Sequence, residues 1–434
     1  MKRIACLLII SSLFFSLNIS GQQKEEKEEK EKKFGIEFSG FVKNDFFWDT
    51  RQTVDAREGH FLLWPAAPNL DADGWDINDK SSFNFLSVQS RLTGKISGPD
   101  AFGAKTSGVI EGDFFAQSNA NINLFRLRHA MIKLNWESTE LLTGQYWNPL
   151  FVSLCFPGTI SFNTGTPLQA FSRNPQIRVT QKIGNNLSIM AAALAQRDYT
   201  SRGPDPKDNS KILVSSQFLR NSSIPDMHLQ LIFNKSNESG SSLVLGAGVA
   251  YKIIVPRLYA VMGTEKYSVD ESVGGLTSIM FAKVVTGPVT VKLQARYGEN
   301  TADVLSPSGF AVVQSDPVTG AQTYTPLKNM SGWGEIHTNG KKFQIGVFGG
   351  YLKNLGTAEP MSDATNSVYG LTTSIATLFR IAPRVMVISN KFKLGGELEY
   401  TSAAYGSGFD VNYLPSSTTT VANMRLLLSA IYSF

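Results

Sequence analysis

Cysteines and long apolar runs are both scarce in this sequence. The two cysteines are Cys6 and Cys155, and Cys6 lies in a leader-like segment, so the exported chain cannot form an internal disulfide. No stretch beyond that segment approaches the about twenty consecutive apolar residues that a transmembrane helix needs. Stability must therefore come from a closed hydrogen-bonded sheet or from a large core.

A marked excess of one charge is lacking as well. The formal net charge is +5, and it falls by two, to +3, once Lys2 and Arg3 leave with the leader. This balance is too small to indicate a nucleic-acid partner. The positions of the basic residues therefore matter more than their total.

Histidines are few, and they stand apart from nucleophile motifs. The chain has four, His60, His129, His228 and His337, and none lies beside a serine nucleophile motif. Catalytic partners in space need not be neighbours in sequence, so a barrel hydrolase stays open as an alternative. We expect no enzyme, no cofactor and no metal site.

Residues 1–33 are predicted to precede the folded domain. Residues 1–21 begin with two basic residues, continue with the apolar run Ile4 to Phe15 and end in a small residue, which is typical of a secretory signal peptide. Residues 22–33 are mostly Lys and Glu without an apolar side chain, so they cannot bury a face. We interpret them as a charged periplasmic tether, helical or disordered.

What the sequence does have is alternation, clearest over residues 423–434. One parity is apolar: Met424, Leu426, Leu428, Ala430, Tyr432 and Phe434. The other is mostly polar, with Asn423, Arg425, Ser429 and Ser433, and with Leu427 and Ile431 as exceptions. Successive side chains of a strand point to opposite faces, so this pattern predicts a strand with one apolar and one wet face.

The same split recurs early in the chain. Over residues 34–49 the apolar parity is Phe34, Ile36, Phe38, Val42, Phe46 and Trp48, and the other parity carries Glu37, Ser39, Lys43, Asp45 and Asp49. Over residues 84–97, Leu86, Val88, Leu92 and Ile96 oppose Gln89, Arg91, Thr93 and Lys95. Over residues 105–117, Ile110, Phe114 and Ala116 oppose Glu111, Asp113 and Gln117. Aromatics near both ends of an apolar face are typical of a membrane-interface girdle.

Weaker segments of this kind bring the count to about sixteen. They lie near 123–136, 141–147, 176–183, 187–199, 226–234, 241–252, 274–286, 289–299, 331–338, 343–354, 367–379, 390–404 and 420–434. Short turn-rich connections alternate with long ones such as 50–82 and 148–175. The pattern predicts an all-β fold: a transmembrane antiparallel β-barrel of about 16 strands over residues 34–434, with short periplasmic turns and long extracellular loops.

Two segments also resemble a known family. The terminal Phe434 and Tyr432 match the assembly signal of bacterial outer-membrane barrels, which the barrel assembly machinery reads. Residues 111–151 contain E-G-D-F-F, F-R-L-R-H-A and G-Q-Y-W, and they resemble the trimeric general porins, most of all the DcaP-like porins. The resemblance implies sixteen strands, an inward-folded third loop over residues 148–175, a homotrimer, and a pore-wall position for Arg126 and Arg128. Past Phe125 the parity is blurred, since Lys133 falls with Phe125 and Leu127, while Ile132 and Leu134 fall with the arginines.

Charged residues of the early strands share the predicted lumen face. The pore-lining or constriction candidates are Arg91, Lys95, Glu111, Asp113, Arg126, Arg128 and Arg178, with Asp45 nearby. Bases facing acids across a pore create a transverse field that orients charged solutes; alternatively, these residues are solvated and pair with one another. Two arginines two apart on one face would raise the local anion concentration, so replacing Arg126 and Arg128 by Ser should shift the reversal potential towards cations.

Two further features have plain alternatives. Asp71, Asp73, Asp76 and Asp79 are spaced like a cation-binding loop but miss the EF-hand pattern, so a solvated loop is favoured over calcium. Cys155 is expected to be a small buried hydrophobe and not a reactive thiol.

The sequence therefore predicts an outer-membrane porin that forms a water-filled channel for passive diffusion of small hydrophilic, possibly anionic, solutes. The expected partners are outer-membrane lipid, those solutes and the barrel assembly machinery. A substrate-specific or hydrophobic-solute channel, a barrel hydrolase and a structural or adhesin-like barrel remain alternatives.

Overall fold

The computed structural model describes residues 34–206 and 208–434, and the predicted signal peptide and tether lie outside this part of the chain. The described strands are β1 Gly35–Asp49, β2 Thr53–Ala56, β3 Phe61–Pro65, β4 Ser82–Leu86, β5 Arg91–Ser97, β6 Lys105–Asp113, β7 Arg126–Asn135, β8 Thr139–Trp147, β9 Arg173–Ile183, β10 Leu187–Leu194, β11 Arg202–Asp205, β12 Asp208–Val214, β13 Asp226–Ser236, β14 Ser242–Ile254, β15 Tyr259–Met262, β16 Glu265–Ser268, β17 Val273–Val285, β18 Val289–Glu299, β19 Ser308–Ser315, β20 Gln322–Thr338, β21 Phe343–Thr357, β22 Val368–Leu371, β23 Ile375–Ser389, β24 Phe392–Phe409 and β25 Pro415–Ser433. A short α-helix covers Gln217–Arg220, and single 3₁₀ turns cover Asn119–Asn121 and Ala302–Val304.

The main sheet closes on itself. Each wall strand pairs antiparallel with the next, and β1 pairs with β25 from Phe41↔Ser433 to Asp49↔Arg425. Strands β4 and β5 both pair with β1, so together they form one interrupted wall strand. Counted this way, the described residues form a closed barrel of 16 strands, which confirms the predicted fold class.

The connections differ between the two rims. On the rim where Gly35 and Phe434 lie, here the short-turn rim, the strands are joined by 98–104, 136–138, 184–186, 237–241, 286–288, 339–342 and 390–391. On the long-loop rim the connections are L1 50–81, L2 114–125, L3 148–172, L4 195–225, L5 255–272, L6 300–321, L7 358–374 and L8 410–414. The predicted sorting of short and long connections is confirmed, since only L8 on the long-loop rim is short.

The two faces of the wall have opposite chemistry. The outer face is apolar and exposed, as shown by Ile36, Leu428 and Tyr432. The inner face of the same two strands carries buried polar residues, among them Asp49 and Arg425, which form an ion pair at 2.6 Å. The parity predicted for β1 and β25 is confirmed.

The predicted exceptions in β25 have a physical reason. Leu427 faces inward and packs with Phe47 and with Ile160 of L3, so the inner face holds an apolar residue where a folded-in loop covers it. Ile431 lines a lumen cavity beside the same loop.

The predicted outward position of Leu86 and Val88 is wrong. The chain turns at residues 87–90, between β4 and β5, so the parity changes there. Phe83 and Phe85 are the exposed residues of β4, while Leu86 packs against the interior and Val88 belongs to the core cluster.

A β-bulge accounts for the parity change in β7. The register with β6 shifts between Glu111 and Gly112, so Arg128 and His129 both lie opposite Glu111. Leu127 is exposed before the bulge and Ile132 after it, although their parities differ. A bulge adds one unpaired residue and reverses the alternation beyond it.

None of the helices among the described residues is long and apolar enough to cross a membrane.

Candidate functional site: a lumen narrowed by two loops

Loop L3 folds into the barrel, as the sequence predicted. Its aromatic side chains stack on the wall and on L2: Phe151 lies on Trp147 of β8 at a centroid distance of 3.9 Å, and Phe162 lies on Phe115 of L2 at 4.1 Å. Most residues of L3 are buried. Leu150, Phe162 and Phe171 belong to the main apolar cluster of the molecule, which therefore lies inside the barrel.

Wall carboxylates hold the tip of L3. The backbone N–H of Gly158 donates to Glu335 Oε2 at 2.7 Å. The N–H groups of Ile160 and Ser161 donate to the two oxygens of Glu397 at 2.6 and 3.1 Å. Irregular backbone inside a protein must find hydrogen-bond partners, and these carboxylates supply them.

Wall cations hold the carbonyl groups of L3. Lys43 Nζ donates to Ile160 O at 2.7 Å, Lys292 Nζ to Phe156 O at 3.0 Å and Arg380 to Thr166 O at 2.5 Å. L3 itself has no Asp, Glu, Lys or Arg. Its surface towards the lumen is therefore neutral, and the charges around it belong to the wall.

A second element, the hairpin of β2 and β3 in L1, also lies inside the barrel. Residues 61–64 (FLLW) of β3 are buried, and Phe61 packs against Phe162 of L3 at 5.2 Å and Phe171 at 5.0 Å. Arg380 joins the two loops, because its guanidinium donates to Leu63 O as well as to Thr166 O. L1 and L3 therefore form one packed unit across the lumen.

The sequence did not predict this hairpin. It placed residues 50–82 in an ordinary long loop, since FLLWP has no alternation and no flanking strand pattern. A run of apolar residues such as FLLW would be costly in a loop that faces water. This run was therefore the sequence signal that could have predicted the burial of the hairpin.

Two predicted arginines and two predicted acids form a compact cluster. Arg126 Nε donates to Asp113 at 2.8 Å, and Arg128 donates to Glu111 and to Asp113, both at 2.8 Å. All four side chains face inward, and those of Arg126, Arg128 and Asp113 are almost fully buried. The acids lie on the strand beside the arginines and do not face them across an open lumen. The cluster is charge-balanced because of this pairing.

The other predicted site residues are more open. Arg91 lies 3.7 Å from Glu111, with 22% of its side chain exposed, and its guanidinium covers the ring of Phe41. Arg178 donates to Trp147 O at 2.7 Å and to Gln176. Lys95 is exposed near the short-turn rim, where it is paired in register with Glu37.

A cavity of about 380 Å³ lies between L3 and the short-turn rim. Its basic lining residues are Lys43, Arg91, Arg128 and Lys393. The Nε of Arg91 is buried there without a hydrogen-bond acceptor. The sequence candidates Arg91 and Arg128 thus meet in one cavity. Lys43 and Lys393 join them from β1 and β24, whose registers with β25 the sequence did not give.

The aspartates of L1 have structural partners. Asp71 accepts the N–H groups of Asp73 and Trp75, and Asp76 accepts that of Asn69 and the guanidinium of Arg51. The hydrogen bond from Asn69, foremost among these contacts, lowers the pKa of Asp76 below its ordinary value. Within the described residues no group of three or more His, Cys, Asp or Glu side chains could hold a metal ion.

Cys155 is buried where L3 packs against the inner side of the wall. Its Sγ lies 3.3 Å from Ala282 O, and its side chain belongs to the main apolar cluster.

Several solved structures share the fold of this chain. The outer membrane channel DcaP of Acinetobacter baumannii is 16% identical, with a TM-score of 0.65 over 93% of this chain and 98% of that chain. This chain has the fold of an outer-membrane porin. An anion-selective porin from Comamonas acidovorans shares the porin fold at 12% identity and a TM-score of 0.53, over 93% and 100% of the two chains. So does the trimer form of OmpT, an outer membrane protein of Vibrio cholerae, at 10% identity and a TM-score of 0.50, over 93% and 100%. No family model and no curated protein matches the sequence.

Proposed function

We propose that this protein is an outer-membrane channel for passive diffusion of small hydrophilic solutes, with a preference for anions. The observation that carries the proposal is the closed barrel with an apolar outer face, a polar inner face and L3 folded into the lumen. A closed barrel leaves no unpaired edge, so it can lie in lipid. The exposed outer residues would then contact acyl chains, and the long-loop rim would face the outside of the cell.

The cavity below L3 supports the anion preference. Arg91 and Lys393 line it, and L3, its neutral roof, adds no carboxylate. Among the described residues no ion pair is recorded for Lys393. Arg91 shares Glu111 with Arg128: its Nε lies 3.7 Å from Glu111 Oε1 and has no hydrogen-bond acceptor. A cavity walled by low-dielectric protein strengthens the field of such cations. Arg126 and Arg128 contribute less, since Asp113 and Glu111 neutralise them.

Planar-bilayer recordings with the purified protein test this proposal. We expect a reversal potential in a salt gradient that indicates anion preference, and a shift towards cations in Arg91→Gln with Lys393→Gln. The shift should shrink near 1 M salt, where the screening length is about 3 Å. Lys341→Gln, in an exposed turn on the same rim, is the matched control. Cation preference in the unaltered protein would contradict the proposed selectivity, and a folded barrel without conductance would contradict the channel.

We propose further that the barrel has no catalytic activity. Each histidine lies beside a carboxylate: His60 by Asp45, His129 by Glu111, His228 by Asp226 and His337 by Glu335. In residues 34–206 and 208–434 no hydrogen bond joins a histidine to a serine or cysteine side chain, so the nucleophile of a triad lacks its base.

The trimeric form of the Vibrio protein supports a homotrimer as part of the proposal. Mass measurement of the detergent-solubilised protein by light scattering would test it, and a monomer at all protein concentrations would contradict it.

A narrow, gated channel is a second candidate, and the L1 hairpin favours it. Where L1 and L3 meet, inner residues such as Asp49, Arg380 and Asn163 are buried, as they would not be beside a wide pore. Thr53 and Pro65 are paired, and Ala66 N–H donates to Gln52 O at 2.9 Å, so the hairpin can be cut out and Gln52 joined to Ala66 by two glycines. Excision should raise the single-channel conductance severalfold if the hairpin is a gate. Unchanged conductance would leave L3 as the sole constriction.

A further inference from the structure

An apolar groove lies on the outer face of the barrel under L4. It has a volume of about 520 Å³ and is lined by the outer side of β8, β9 and β10 and by residues 219–225. Its lower walls are apolar, with Ile177 and Ala193 among them, and Ile224 closes it from above. Ile177 and Ile224 are both exposed in the isolated protein.

We propose that this groove binds an acyl chain of a phosphorylated lipid and that Arg220 pairs with the lipid phosphate. The site rests on the proposed membrane residence of the barrel, but it is independent of conduction through the lumen.

Small residues make the groove concave. Ala193 of β10, Ala195 at the start of L4 and Pro175 of β9 project little from the wall, whereas the neighbouring Ile177 and Met227 stand out and are exposed. A chain of methylene groups can lie in such a depression and remove apolar surface from water on both sides.

The roof of the groove is fixed by its own contacts. Phe218 and Leu219 are buried in a cluster with Ile254 and Val273, and Val255 N–H donates to Phe218 O at 2.9 Å. Ser222 Oγ donates to Leu219 O at 2.7 Å. The groove is therefore already formed in the free protein, which reduces the ordering cost of binding.

Arg220 places a positive charge at one end of the groove. It is the one charged residue that lines it, it is exposed, and no ion pair is recorded for it among the described residues. It lies at the long-loop end, above the apolar part of the outer face. A lipid with its chain in the groove would place its headgroup at that level, and a guanidinium binds phosphate oxygens in a bidentate manner.

A second outer groove provides an internal comparison. It measures about 750 Å³ and is lined by β10, β13, β14, β17, β18 and β20, with Leu245, Ala247 and Met280 among its residues and no charged side chain. It can take apolar chains, but it has nothing to select a phosphate.

Native mass spectrometry of the folded, full-length protein in neutral detergent tests the proposal. The probes are phosphatidic acid and diacylglycerol with the same acyl chains, which differ only in the phosphate. We expect phosphatidic acid to bind in preference to diacylglycerol. Arg220→Gln should weaken phosphatidic acid by about tenfold, the value of one lost charge-assisted hydrogen bond. Ala193→Trp, which fills the groove, should weaken both lipids.

Two variants serve as controls. Arg197→Gln removes another exposed arginine of L4 that does not line the groove, and Ala247→Trp fills the comparison groove. Both should leave phosphatidic acid binding within about twofold. Equal binding of the two lipids, full binding by Arg220→Gln, or an equal loss in Arg197→Gln would overturn the proposal. The heat-dependent gel shift of an intact barrel, measured on each variant, separates loss of the lipid from loss of the fold, and conductance is recorded separately.

Discussion

At the scale of residues, Arg126 and Arg128 serve to neutralise buried acids. Both are almost fully buried, and their nearest oxygens belong to Asp113 and Glu111 at 2.8 Å. Replacing both arginines by Ser would leave the buried charge of Asp113 without a partner. We expect a loss of about 3–5 kcal/mol in the free energy of unfolding.

Urea unfolding of the barrel in detergent, followed by Trp fluorescence, measures that loss. Adding Asp113→Asn and Glu111→Gln to the double variant should restore much of the stability, because the uncompensated carboxylates are then removed. A double variant as stable as the unaltered protein would mean that water reaches these acids and that the lumen is open here.

Whether a new lysine is tolerated depends on whether its side chain lies on the outer or the inner face of the barrel. Leu428 is exposed on the outer face, so Leu428→Lys should cost about 2–4 kcal/mol in a bilayer. Thr93→Lys is the matched control, because Thr93 faces inward and its Oγ1 already donates to Glu111 at 2.8 Å. Unfolding midpoints of both variants in lipid vesicles are compared. Equal midpoints would contradict the assignment of the outer face to lipid.

Wherever a strand is regular, as in β25, alternation correctly predicted the face of the wall on which each side chain lies. It failed at Leu86 and Val88, because a turn of a few residues inside a wall strand reverses the parity without a sequence signal. In β7 the bulge at Arg128 and His129 reverses the alternation in the same way, and nothing in these two residues predicts a bulge. The distance between the side chains of Arg126 and Asp113 depends on the register of β6 with β7, and alternation alone does not give that register.

At the scale of elements, the position of L3 depends on a few carboxylates. Glu397 is buried and accepts two N–H groups from the loop tip. Each such hydrogen bond contributes about 1 kcal/mol or more. Glu397→Ala should therefore release the tip of L3 while the wall stays closed.

We expect Glu397→Ala to raise single-channel conductance and its noise, and to lower the unfolding midpoint of the barrel only as far as the loss of these two hydrogen bonds requires. Glu359→Ala, an exposed carboxylate in L7, is the control and should record like the unaltered protein. Identical current traces for both variants would mean that Glu335 and the wall cations hold L3 without Glu397.

The sequence predicted that one loop folds inward and missed that two do. The prediction for residues 148–175 rested mainly on their place after the G-Q-Y-W segment, which is a resemblance. The L1 hairpin has pairs across only four and five residues, so it lacks the length on which alternation depends. Its burial comes from contacts with L3 and Arg380, which are distant in sequence.

At the scale of the whole molecule, closure depends on the last residues of the barrel. The N–H and C=O groups of Phe434 bond to Gly40 at 3.1 and 3.3 Å, while its ring is half exposed on the outer face. Phe434→Asp keeps those backbone bonds and removes the aromatic. We therefore expect the purified variant to refold in detergent but to be absent from the outer membrane of cells, as measured by membrane fractionation.

A second variant distinguishes the predicted assembly signal, Tyr432 and Phe434, from the general effect of losing an exposed aromatic side chain. Phe392→Asp changes another exposed aromatic on the same rim, across from Tyr432, and it should reduce membrane levels less. Normal membrane levels of Phe434→Asp would end this interpretation.

The anchoring of L3 also constrains the order in which the chain can fold. The bond from Ile160 to Glu397 joins residues 237 apart in sequence, and that from Gly158 to Glu335 joins residues 177 apart. Until β20 and β24 are in place, the amide groups of L3 lack these acceptors and its aromatics lack their final cover. Contacts of such long range make folding slow. The loop that narrows the lumen is thus among the last parts of the molecule to become ordered.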